Sequence, residues 1–270
     1  MRRKSSLLVL SLALPVPLLA RPAPELAVVY PGPRSDNDKR AGYYHRLLRM
    51  ALEQSGARFT LRANPMPMVG ARVVQEMTGG QGINITWLPT SRELERLLIP
   101  VRVPLDKGIL GWRVFLIRKD DQARFSAIRS LDQLRKLSAG LQRDWLDTEI
   151  MRANGMNVTT SPTYEGLFQM LAAGRFDYFP RGIGEIWREA ELYKELGLVV
   201  EQRLALHYPF PNYFFVSPGE PQLAAALSRG LEVLERNGSM ARLFDEYNGD
   251  SIRRAQTDAR RVFELKMPHP

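Results

Sequence analysis

The chain has 270 residues, 44% of them hydrophobic, no cysteine and a formal charge of +9. That apolar content is enough for a full core and excludes a disordered chain, while the absence of cysteine excludes disulfides, a lipid-modified N-terminal cysteine and thiol catalysis. Lysines and arginines are scattered rather than striped, and no nucleic-acid motif accompanies them, so the basic balance reads as solubility or a mild pull on anionic solutes.

In chain order, Arg2, Arg3 and Lys4 precede an apolar run over 7–19 that ends at Ala20. This is the order of a secretory leader, too short and too proline-broken to span a membrane. Cleavage is expected after Ala20, leaving a periplasmic protein of charge about +6 once those three basic residues are gone. The run 26–30 suits a buried parallel strand, and Pro31, Gly32 and Pro33 mark a loop. A helix is predicted from about Asp38, with Tyr44, Leu47, Leu48 and Ala51 on one face and Gly56 as its stop. Strand 58–61, a helix over 66–77 with Val69, Val73, Val74 and Met77 in register, and strand 83–87 complete the order of a doubly wound sheet.

Thr90-Ser91-Arg92-Glu93 reads as a capping box before a short helix with Leu94, Leu97 and Leu98. Strands follow at 99–103 and 112–117, and the polar run 118–122 predicts a crossover. Ser130 with Gln133 caps another helix, 139–142 is a strand, Asp144 opens a helix ending at Asn154-Gly155, and 158–161 is again a strand. Tyr164, Leu167, Phe168 and Leu171 form one apolar helix face, closed by Gly174. A strand over 176–179 should end at Pro180, and 181–184 turns into a helix with Glu185 in its first turn. After a strand at 198–200, the passage 204–211 is predicted to be the return crossover. Strand 213–216, a helix over 221–237 with Leu223, Leu227, Leu231 and Leu234, and a last helix capped by Ser239 follow. Beyond 250 a charged tail with Arg253, Arg254, Arg260 and Arg261 is expected to be peripheral.

The fold class predicted is α/β with two lobes, each a mainly parallel sheet flanked by helices. Residues 24–118 with 208–249 form the first lobe, 119–207 the second, and 250–270 the tail. Ligands of open α/β sheets collect beyond the carboxyl ends of strands, where helix starts offer free N–H groups. That rule singles out Tyr30, Trp87, Asp144, Trp145, Arg181 and Glu185 as ligand-binding candidates. Five of them have a plainer role as well: packing for Tyr30 and Trp87, helix capping for Asp144, solvation for Arg181 and helix-end stabilisation for Glu185, whereas Trp145 has no helical need to be aromatic. There is no GxSxG elbow, GxGxxG fingerprint or phosphate loop, and His45, His207 and His269 lack metal-ligand spacing. No enzyme, metal or cofactor is therefore predicted; Asp144 and Glu185 are the carboxylates that acid–base chemistry would use.

These features resemble the periplasmic solute-binding proteins of family 3, the polar amino-acid type. The resemblance rests on Ser130 to Leu134, on Gly174-Arg175-Phe176-Asp177-Tyr178, and on Leu231 to Tyr247 with the turn Asn237-Gly238-Ser239, and it covers about residues 24 to 249. It implies a type II binding-protein fold, a monomer whose lobes close on a small polar solute, and delivery to an ABC permease or engagement of a membrane sensor. Relative to the family pattern, Arg181-Gly182 stands where an acid holds the α-ammonium, and Gln142-Arg143-Asp144-Trp145 stands where a Gly-Thr/Ser run receives the carboxylate. The family's carboxylate-binding arginine has its counterpart in one of Arg92, Arg96 or Arg102. The resemblance thus implies a ligand other than a standard α-amino acid.

Overall fold

The computed structural model describes residues 25–32, 42–66, 68, 70–80 and 82–268. The predicted leader and its cleavage point, Asp38, Val69 and His269 lie outside them. The order opens with β1 (Leu26–Tyr30), α1 (Gly42–Gln54), β2 (Phe59–Ala63), α2 (Gly70–Thr78), β3 (Ile85–Pro89), α3 (Arg92–Leu97) and β4 (Ile99–Val101). Next come β5 (Trp112–Arg118), α4 (Gln122–Ser126), α5 (Leu131–Arg135), β6 (Ser138–Gln142), α6 (Leu146–Ala153), β7 (Asn157–Ser161) and α7 (Tyr164–Ala172). Then follow β8 (Phe179–Gly182), α8 (Ile186–Leu192), β9 (Leu198–Val200) and β10 (Leu204–His207). β11 (Asn212–Val216), α9 (Pro221–Arg236), α10 (Ser239–Ala255) and β12 (Arg261–Glu264) close the sequence.

In the first lobe β1 and β2 are parallel, and β11 lies antiparallel between β3 and β4. Asn84 joins the two sets: its N–H donates to Val29 O at 3.0 Å and its Nδ2 to Ala27 O at 2.6 Å, while Val29 N–H donates to its Oδ1 at 2.8 Å. Alternate residues of β11 face opposite ways, as a strand must place them. Phe214 and Val216 enter the core under α1, α9 and α10, and Phe215 enters the core under α2. In the second lobe β5 does the same, with Phe115 and Ile117 on one face and Val114 and Leu116 on the other. β5 pairs antiparallel with β8 on one side and with β9 and β10 on the other, and β12 pairs parallel with β10. The parallel pair β6–β7 is attached by the bridge Ala139–Tyr178.

The antiparallel strand in each lobe is the one that has just arrived from the other. A chain that enters from the lobe interface must run away from it, while the other strands run toward it. Tyr30, Gln142, Ser161, Gly182 and His207 therefore end their strands on the interface side.

Several expectations are corrected. β5 belongs to the second sheet, so the crossover lies between Val101 and Trp112 rather than at 118–122, and the boundary placed at 118 moves with it. Residues 204–207 are the strand β10, not an irregular passage. The strand expected at 176–179 is shifted to Phe179–Gly182, with Pro180 inside it opposite Phe115. Gly140 N–H donates to Tyr178 O at 2.9 Å, but Pro180 has no N–H with which to continue that ladder, so β6 and β8 part at this point. Trp145, not Asp144, stands at the N-cap of α6, and Gly238 rather than Ser239 precedes α10. Ser91 caps α3 by accepting from Leu94 N–H at 3.2 Å, while the Thr90 hydroxyl donates to Glu95, not Glu93, at 2.7 Å.

The tail is not peripheral. α10 packs Leu243 and Phe244 into the first-lobe core, runs on to bury Ala255 in the second, and leads into β12, whose Phe263 is buried. Within the described residues the chain thus passes between the lobes three times.

Close packing of α1 on α9 depends on Gly230, where an added Cβ would run into the Ala51 carbonyl. Gly230→Ala should therefore cost about 1–3 kcal/mol through overpacking, in spite of alanine's better helix propensity. Urea unfolding measures it; a stabilised variant would contradict the packing.

Candidate functional site

Two polar and aromatic clusters flank the crossovers on the interface side. In the first lobe, Tyr30 ends β1 with its ring 4.5 Å from His45, and His45 lies edge-on to Trp87 at 5.0 Å. Tyr44 stacks on Trp87 at 5.6 Å with the planes 17° apart. The period of α1 puts Tyr44 and His45 beside the strand ends while Leu47, Leu48 and Ala51 go to the core. The Tyr44 hydroxyl donates to Asp106 Oδ2 at 3.0 Å, and Gly108 N–H donates to Asp106 Oδ1 at 3.2 Å. Asp106 lies in the crossover and is 1% exposed.

Burial raises the Asp106 pKa, against the opposing effect of bonds from Tyr44 and Asn212. A carboxyl whose folded pKa exceeds its unfolded value of about 4 destabilises the fold once the pH is high enough to charge it. Below about pH 4 both states are protonated and that cost is absent. Asp106→Asn is accordingly expected to raise the melting temperature at neutral pH, with the gain vanishing near pH 4; a gain independent of pH would rule out this cause.

In the second lobe Arg181 is held on all sides. Its Nε donates to Glu189 Oε2 at 2.7 Å, and its Nη2 donates to Glu189 Oε1 at 2.6 Å and Glu185 Oε2 at 2.8 Å. The Tyr164 hydroxyl donates to Glu189 at 2.5 Å. The guanidinium lies 4.9 Å from the ring centres of both Trp145 and Phe179 and 5.5 Å from that of Tyr164. Burial lowers the Arg181 pKa, but the Glu185 charge and the Glu189 bonds outweigh it, so the side chain stays a cation. Next to it, Arg113 Nε donates to Asp147 Oδ1 at 2.5 Å, and the Tyr208 hydroxyl donates to the same oxygen. Burial pushes the Asp147 carboxyl up, and the Arg113 charge with both hydrogen bonds more than reverses this, holding it below the usual range. Gly182 joins the two groups, because a Cβ there would face Glu185 Oε2 at 3.3 Å and Arg113 Nη1 at 3.9 Å.

Of the six predicted residues, Tyr30 and Trp87 thus meet through His45 in one lobe, and Trp145, Arg181 and Glu185 meet in the other. Asp144 is exposed and joins neither cluster. Sequence reading missed Tyr44, Asp106, Asp147, Tyr164, Glu189 and Tyr208. Glu189 carried a signal, being one helical turn after Glu185, whereas the pairing of Arg113 with Asp147 across 34 positions carried none.

Solved structures share this architecture. An ancestral arginine-binding protein bound to arginine is 15% identical, with a TM-score of 0.54 over 84% of this chain and 99% of its own. The second substrate-binding domain of a putative amino acid ABC transporter from Streptococcus pneumoniae is 14% identical, with 0.53 over 82% and 99%. A histidine kinase sensor domain with similarity to periplasmic binding proteins is 20% identical, with 0.55 over 83% and 96%. The chain has the type II periplasmic-binding-protein fold. At these identities the binding-protein fold is what is shared; no protein-family model matches the sequence, and no curated protein does. In such a fold the interlobe face is where sheets give way to helices on both sides, and both clusters lie there.

Proposed function

We propose that the protein is exported and captures a small polar solute between its lobes, using Tyr30, Trp87 and Tyr44 on one side and Trp145, Tyr164 and Glu185 on the other. The observation that carries this reading is the presence of an aromatic and charged cluster at the interface-side strand ends of both sheets. A standard α-amino acid is a poor fit. Arg181 is already spent on Glu185 and Glu189, Arg102 pairs with Glu95 at 2.8 Å, and Arg92 and Arg96 are exposed. In the second lobe two arginines, Arg113 and Arg181, face three carboxylates, Asp147, Glu185 and Glu189. The excess negative charge, with Glu185 the most open of the three at 36% side-chain exposure, favours a solute that carries a positive group near aromatic rings.

Trp87, Trp145 and Trp112 make intrinsic fluorescence a direct test. Amines and other organic cations should shift the emission on titration, and Glu185→Gln should weaken that binding about tenfold while leaving the melting temperature in place. Silence across amines, amino acids and organic anions would count against solute capture. Delivery to an ABC permease is the favoured outlet. The shared fold of a sensor domain supports a second reading, docking on a membrane receptor without transport, and neighbouring permease and ATPase genes separate the two. Catalysis is the weaker reading, because Glu185 is held by Arg181 and Asp144 stands apart from it.

A further inference from the structure

β10 and β12 begin side by side at the end of the second sheet away from the interface, with Leu204 paired to Arg261. Arg203 and Arg261 are therefore neighbours there, and the end of α4 with the turn after it brings up Ser126 and Arg129. With Ala259 these residues line one hollow of about 450 Å³. Among the described residues, none of the three arginines forms an ion pair with a carboxylate. Backbone carbonyls hold two of them in position. Arg129 Nη1 donates to Ser126 O at 2.5 Å and Ile128 O at 3.3 Å, and Arg261 Nη1 donates to Ile128 O at 2.6 Å.

The one carboxylate bonded to this strand start cannot neutralise them. Glu201 is fully buried and accepts from Gln122 Nε2, from the N–H groups of Arg203 and Leu204, and from Arg260. Three like charges are thus gathered around a concave surface, two of them held in place by backbone carbonyls. Guanidinium groups arranged in this way suit a multivalent tetrahedral oxyanion, whose several oxygens accept forked N–H donors.

We infer that this hollow is a binding site for a phosphoryl oxyanion, separate from the interlobe clusters and built in part by the C-terminal segment. The phosphate belongs either to a free solute or to an anionic lipid headgroup. Inorganic pyrophosphate titrated calorimetrically into the intact protein at low ionic strength should bind at one site and weaken as salt is added. Arg203→Gln and Arg261→Gln should each reduce that affinity about tenfold. The Arg203 side chain makes no hydrogen bond among the described residues, so an unchanged melting temperature certifies the fold of that variant. Sedimentation with phosphatidylcholine vesicles, with and without phosphatidylglycerol, identifies the source. Arg203-dependent capture by the anionic vesicles assigns a headgroup, and pyrophosphate binding without capture assigns a free oxyanion. No binding by the wild-type protein, or equal affinity in Arg203→Gln, overturns the site.

Discussion

Replacing Arg260 with Met should destabilise the protein by about 3–5 kcal/mol and release the C-terminal strand from the second lobe. The side chain is only 5% exposed, and its donors are spread over three carbonyls. Nε donates to Ala255 O at 2.6 Å, and Nη1 donates to Glu201 O at 2.6 Å and Leu204 O at 3.0 Å. Its contact with the Glu201 carboxylate, at 3.4 Å, is the longest of the set. Methionine fills the space, but it strands those carbonyls and leaves the buried Glu201 charge supported by Gln122 and two backbone N–H groups alone. Arg260→Lys keeps the charge but loses the planar fork, and should fall in between. Urea unfolding gives the magnitude, and hydrogen exchange at 261–264 locates it; a change below about 1 kcal/mol would mean that Arg260 is incidental. In an interlobe hinge the consequence is mechanical, since α10 and β12 tie the lobes together beside the two crossovers.

That third tie is also where the sequence was hardest to read. Phe263 and Leu265 alternate with charged neighbours at the period of a half-buried strand, but only two apolar turns of the pattern stand in a tail full of arginines. A four-residue strand at a sheet edge cannot be told from a charged coil without its partner, β10. The long apolar runs were legible because burial on a strand face requires them: 26–30 became β1 and 112–117 lies within β5. Which sheet β5 joins was not legible, because Val114, Phe115, Leu116 and Ile117 are apolar on both faces and would suit either lobe. Pro180 misled for a related reason. A proline is excluded from a strand only where its missing N–H faces a partner, and the ladder with β6 ends here while the one with β5 continues.

For the site, strand ends and helix starts located Trp145, Arg181 and Glu185 within one cluster, because those positions follow from chain order. What chain order could not supply was their charge state as a group. Arg181 alone reads as an anion receptor. With Glu189 and Glu185 on the following helix, it reads as a filled one.

The distinction is measurable. Arg181→Met should cost about 3–5 kcal/mol, since Glu189, 7% exposed at its side chain, would keep its charge with only the Tyr164 hydroxyl to meet it. Adding Glu189→Leu should recover most of that loss, because an apolar pair of similar volume replaces a buried ion pair at little net cost. Methionine retains contact with Trp145 and Phe179, so the aromatic wall survives in both variants. Solute titration of the double variant then separates two roles for Arg181. A pillar that orients Trp145 and Glu185 leaves affinity within a few-fold of the wild type, whereas a direct contact to the solute loses it even though stability has returned. Recovery of stability without recovery of binding would therefore move Arg181 into the recognition surface and return an anionic solute to consideration.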